Sequence, residues 1–134
     1  MLSTPSTAPV GSPFEFVNGG KTRHVGFEST AMVRFGQGLS LPIDLDWTAN
    51  YTFVRSRFAG GTFAGNALPY APPHTVQTTL DAAHKNGVSG QVAFSYVAPQ
   101  YTDEKNTLAP GPLGLDGRIP AFTTVDLGAR YRHK

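Results

Sequence analysis

Four histidines, His24, His74, His84 and His133, are the first residues to question, because imidazole is the commonest protein ligand for a metal. Their spacing matches no zinc pattern, and a chain without cysteine has neither a thiolate site nor a disulfide framework. His74 follows Pro72-Pro73 and His84 precedes a turn, which suits structural or interfacial roles. Asp44 and Asp46 stand two residues apart on one side of an extended segment. As catalytic carboxylates they would need a partner acid or base and a pocket, and the sequence shows neither; solvated charges on a wet wall are the better account. "TDEKNT" (102–107) gathers acidic and amide oxygens, as a polar loop tip does, with at most a weak hold on cations. There is no Gly-x-Ser-x-Gly elbow, phosphate loop or dinucleotide fingerprint. Asn50-Tyr51-Thr52 spells a glycosylation sequon, but in mid-strand. These residues predict no catalytic residue, no metal site and no cofactor, and a protein that is not an enzyme.

The elements that would carry these groups repeat with a period of two. Over residues 23–35 the odd positions hold Val25, Phe27, Ala31, Val33 and Phe35, and the even ones His24, Glu28, Thr30 and Arg34. The next run is cleaner: Ile43, Leu45, Trp47, Ala49, Tyr51 and Phe53 alternate with Asp44, Asp46, Thr48, Asn50 and Thr52. Further runs over 74–84, 88–100 and 123–132 alternate in the same way, and no stretch has a helical period. The expectation is an all-β chain, an antiparallel up-and-down meander of about five long strands with an apolar and a hydrophilic face.

Connector lengths alternate too. "GQGLSLP" (36–42) and "KNG" (85–87) are short, whereas 59–73 and 102–120 are long and rich in Gly and Pro. Soluble meanders keep both ends short; outer-membrane barrels have short turns at one end and longer loops at the other. A strand of about 14 residues reaches roughly 45 Å, while 9–11 tilted residues already cross the hydrocarbon. Phe35, Trp47, Tyr51, Phe53, Phe94, Tyr96 and Tyr131 all lie on the apolar phase, several near strand ends where a membrane girdle forms. The alternative is a small soluble β-sheet binding or adhesion module that buries its apolar face against a partner. Composition narrows the field further. The formal charge is only +2, with the tail "RYRHK" its one basic cluster, so nucleic acid is not an expected partner. No apolar run is long enough for a transmembrane helix, and residues 1–13 lack the basic and apolar regions of a secretory signal.

"VNGGKTRHVGFE", followed by "LDWTANYTFVRSRF" and "GNALPYAPPHT", resembles the C-terminal part of TonB-dependent outer-membrane receptors, especially the ferric-citrate and ferric-siderophore branch. The residues carrying the likeness are Asn18, Gly20, Gly26 and Glu28; Asn50, Tyr51 and Thr52; and Gly65, Asn66, Leu68, Pro69, Pro72 and His74. "QYTDEKNT" (100–107), "GRIPAF" (117–122) and "VDLGARY" (125–131) continue it in order. The resemblance implies a partial transmembrane β-barrel over 14–134, with 1–13 a disordered or outside-loop remnant. It implies that the plug domain, the TonB-contacting segment and the last strands lie elsewhere, and that Met1 is an internal start. It also implies one strand running from Phe14 to Phe35 with a bulge at Gly19-Gly20; the alternative is a tight hairpin at Asn18-Gly19. Function would be uptake of a ferric siderophore or ferric citrate across the bacterial outer membrane, energised through TonB, with membrane lipid as the other partner. Capture of an anionic chelate asks for donors on outside loops and the inner wall. By position alone, Arg55, Arg57, Gln100, Tyr101 and Arg118 are the candidate ligand-binding residues.

Overall fold

The computed structural model describes residues 20–35 and 42–133. These form seven strands: β1 (Thr22–Arg34), β2 (Ile43–Phe58), β3 (His74–His84), β4 (Val88–Val97), β5 (Gln100–Tyr101), β6 (Arg118–Ile119) and β7 (Phe122–Tyr131). Five of them build one antiparallel sheet in the order β1-β2-β3-β4-β7, and β5 and β6 form a separate two-stranded ribbon. The main sheet is therefore a plain meander, each strand beside its sequence neighbour once the ribbon is passed over. The proposed bulge and strand start at residues 14–19 lie outside the described residues, as do residues 1–13. Gly20, at φ 86, precedes the first paired residue, Thr22.

Register turns the alternation of single strands into two continuous surfaces. Phe27 faces Phe53 and Val33 faces Trp47; Trp47 faces Leu80, Leu80 faces Val92, and Val92 faces Leu127. Because partners in a ladder point to the same side, these residues share one face with Ala31, Leu45, Ala49, Tyr51, Val76, Phe94, Tyr96 and Val125. On the other side Glu28 faces Thr52 and Thr52 faces Thr75; Asp46 faces Asp81, which faces Gln91; and Ser89 faces Arg130. Met32 is an apolar exception on that hydrophilic face.

No second layer covers the apolar face among the described residues. Phe58 and Ala98 are the buried hydrophobic residues, whereas Phe27, Val125 and Leu127 are 57%, 60% and 78% exposed. Phe94 is 38% exposed, and Leu45 and Trp47 are only half-buried. A soluble sandwich would bury this row against a second sheet.

Local chemistry explains the strand joints. In the 85–87 turn Gly87 has φ 94, its amide donates to the His84 carbonyl (3.0 Å), and the Asn86 side chain accepts from Val88 N (3.1 Å). That is a three-residue hairpin loop with glycine at its left-handed position. Gly26 in mid-strand has a different reason. A Cβ there would run into the Phe53 carbonyl of the facing strand, so only glycine allows β1 and β2 to come so close.

Candidate functional site

The chemistry-bearing groups fall in three places: the hydrophilic face, the end of the sheet with the long connections, and the apolar face just below that end.

On the hydrophilic face, a shallow basin is lined by Asp44, Asp46, Asp81, Gln91 and Arg130, with Ala83 and Gly128 leaving it open. Asp44 and Asp46 are both exposed there, near the short-turn end. The histidines are spread out. His24 Nδ1 shares a hydrogen bond with Ser56 Oγ (2.9 Å), His74 Nδ1 with Tyr51 Oη (2.8 Å), and His84 Nδ1 accepts from Asn86 N (3.2 Å). Among the described residues no group of three or more metal-binding side chains is assembled.

At the long-loop end the two connections, 59–73 and 98–121, are locked together. Asn106 is the clamp. Its Oδ1 accepts from Ala67 N (2.7 Å), and its Nδ2 donates to Ala67 O (2.9 Å) and Asp103 O (3.3 Å). Asn66 Nδ2 donates to Glu104 O (2.8 Å), and Tyr70 N donates to Tyr101 O (2.8 Å). Asn106 sits at φ 58, a left-handed conformation that asparagine tolerates better than most residues. Asp103 braces the same loop, accepting from Thr107 Oγ1 (2.6 Å) and Thr107 N (3.0 Å). The Thr107 hydroxyl bond, chiefly, holds the Asp103 carboxyl below its ordinary value against the opposing effect of desolvation. Gly117, at φ 122, is buried where a Cβ would sit 3.0 Å from Pro110 Cα, and its carbonyl accepts from both N and Oγ1 of Thr102. The loop therefore folds back so that Gln100 pairs with Ile119 and Tyr101 with Arg118. Three of the five candidate ligand residues, Gln100, Tyr101 and Arg118, are brought together on this ribbon. Beside it lies a concavity lined by Phe63, Pro69, Thr102, Asp103, Glu104, Lys105, Thr107 and Asp116.

The other two candidates stand apart. Arg55 faces Val25 and Arg57 faces Arg23, which puts Arg55 and Arg57 on the apolar phase of β2 with Tyr51 and Phe53, not on the hydrophilic wall. Sequence reasoning passed over Arg23, although its odd number in β1 already placed it with Val25 and Phe27. It also passed over the Asn66 and Asn106 lock, whose partners lie 38 and 39 residues away in the chain and leave no local signal.

Below these arginines, Phe27, Tyr51, Phe53 and His74 form an aromatic group with centroid separations of 5.6, 5.8, 6.1 and 5.1 Å between adjoining rings. Trp47 and Tyr131 stand towards the other end of the same face. On β2 the span from Ile43 to Phe53 projects to roughly 23 Å at a tilt of about 45°, close to the apolar band of a membrane barrel.

A long-stranded meander with one greasy face, one hydrophilic face, aromatics towards both ends of the greasy band and long loops at one end defines the wall of a transmembrane β-barrel. The chain belongs to the TonB dependent receptor-like, beta-barrel family, which matches residues 2–134. Receptors of that family reside in the bacterial outer membrane, and the membership makes this chain part of an outer-membrane transporter. No solved structure matches it.

Proposed function

We propose that the chain serves uptake of a ferric chelate, a siderophore or ferric citrate, driven through TonB, and that it works by binding and passage without catalysis. The observation carrying this reading is the locked pair of long connections. It brings Gln100, Tyr101 and Arg118, which carry amide, phenol and guanidinium donors, onto one ribbon at the long-loop end of the sheet. Such donors suit the carboxylate and hydroxamate or catecholate oxygens of an iron chelate. The likeness of "GNALPYAPPHT" and "QYTDEKNT" to the ferric-citrate and siderophore branch points the same way. The test is uptake of iron-55 presented as ferric citrate or as hydroxamate and catecholate siderophores. Iron-starved cells with and without the gene would be compared, each in tonB-positive and tonB-negative backgrounds. One chelate is expected to lose uptake on deletion and to need TonB. Unchanged uptake of every ferric chelate, with a deficit for an iron-free substrate instead, would refute the iron reading.

A further inference from the structure

We propose that Arg23, Arg55 and Arg57 form a seat for the phosphate of an anionic lipid headgroup on the outward surface of the barrel, at the rim that bears the long loops. The three side chains and Val25 line one concavity, and among the described residues no carboxylate lines it. All three arginines are exposed and lie on the face that carries Phe27, Tyr51 and Phe53. Arg23 and Arg57 are directly opposed across the β1–β2 ladder. Like charges in that position repel, and an anion between them relieves the repulsion. The guanidiniums have donors to spare. Arg57 spends one Nη1 N–H on the Gly65 carbonyl (2.9 Å), and among the described residues its other N–H groups are not engaged. Planar, permanently charged forks of this kind bind phosphate in pairs of parallel hydrogen bonds.

Depth selects the source of the phosphate. Arg55 is two residues beyond Phe53 on β2, and Arg23 two residues beyond Val25 on β1, both towards the long-loop end. Two residues of tilted strand rise about 5 Å, from the aromatic girdle to the headgroup layer, short of open water. The sheet itself lies between this cluster and the hydrophilic wall, so a chelate passing along that wall does not meet it. A phosphorylated glycolipid, its acyl chains against Phe27 and Phe53, satisfies both halves of the surface. This proposal rests on the outer-membrane placement of the barrel and is independent of which substrate is carried.

The test uses the full-length receptor carrying these strands, purified in detergent. Retained lipid would be read by native mass spectrometry after exposure to diphosphoryl lipid A, dephosphorylated lipid A or inorganic phosphate. Diphosphoryl lipid A is expected to bind, the dephosphorylated form and free phosphate to bind at least tenfold more weakly, and Arg23→Gln/Arg55→Gln/Arg57→Gln to lose at least tenfold in affinity. The Arg23→Lys/Arg55→Lys/Arg57→Lys variant, which keeps the charge, should recover only part of that loss. Heat-modifiable migration on gels verifies that each variant is a closed barrel. Equal lipid A binding by the folded glutamine variant, or equal binding of free phosphate, would overturn the proposal. So would loss of chelate uptake by that variant with lipid binding intact, since the arginines would then belong to the transport path.

Discussion

Asn106 illustrates how much one side chain can hold at this rim. It satisfies both backbone groups of Ala67 while standing in a left-handed conformation that alanine resists. Asn106→Ala is expected to free the 59–73 connection from the 98–121 connection at a local cost of about 1–3 kcal/mol. Hydrogen exchange would read this as faster exchange at Ala67 N with β3 and β4 unchanged. Asp103 adds a pH dependence whose sign follows from its lowered pKa. Its contribution to loop order is complete above the ordinary carboxyl value of 3.8 and is lost as pH falls through the lower folded value. Exchange protection at Thr107 N should therefore be constant from neutral pH to about 5 and drop below about 4, whereas Asp103→Asn should show reduced protection throughout. Gly26 is the residue-scale device inside the sheet. Gly26→Ala drives a methyl into the Phe53 carbonyl and should cost about 1–3 kcal/mol, seen as a lower temperature for loss of the folded gel form.

At the scale of elements, the alternation was legible because each spanning strand meets two solvents, and each solvent selects its own residues. β3 runs over His74–His84, the same span the period of two predicts, and β7 differs from its expectation by one residue at each end. β2 runs on to Phe58, past the Phe53 where alternation was followed. The reason is physical: beyond Phe53 the polarity of the two sides inverts. Arg55 and Arg57 replace aromatics on the outward side, while Ser56 and Phe58 are buried on the other, with Phe63 of the following loop against Phe58. β4 ends at Val97, short of the predicted Gln100, because Pro99 has no amide to continue the ladder. The β5–β6 ribbon was not legible, since two-residue strands joined through a 98–121 fold-back carry no periodicity. The two faces make opposite predictions for the same substitution. Leu127→Arg, at a position 78% exposed, would be harmless in a water-soluble sheet but should cost about 2–4 kcal/mol if that face meets lipid near mid-bilayer. Gln77→Arg on the hydrophilic face should be nearly neutral. Urea unfolding in lipid vesicles would separate the two.

At the scale of the whole molecule, the described residues form an open sheet whose edges are β1 and β7. An edge in hydrocarbon leaves N–H and C=O groups unpaired at several kcal/mol each, so these strands need neighbours on both sides to stand in a membrane. In water the apolar face is an association hazard as well. The 134-residue chain alone in detergent-free buffer is therefore expected to aggregate, and sedimentation should find no stable monomer. Connector lengths conveyed the asymmetry of the two ends from sequence alone. What they did not convey is which loop residues grip each other, because that is decided by tertiary approach.

Lipid on one side of the sheet and water on the other is tested most directly along β4. The chain has no cysteine, so single cysteines introduced from Gln91 to Tyr96 can each carry one spin label. In the receptor reconstituted in lipid, label accessibility should follow a period of two. Labels at Val92, Phe94 and Tyr96 should be relaxed by oxygen, and those at Gln91, Ala93 and Ser95 by a water-soluble nickel chelate. Uniform accessibility to the nickel reagent at all six positions, or protection of 92, 94 and 96 from both relaxants, would contradict it.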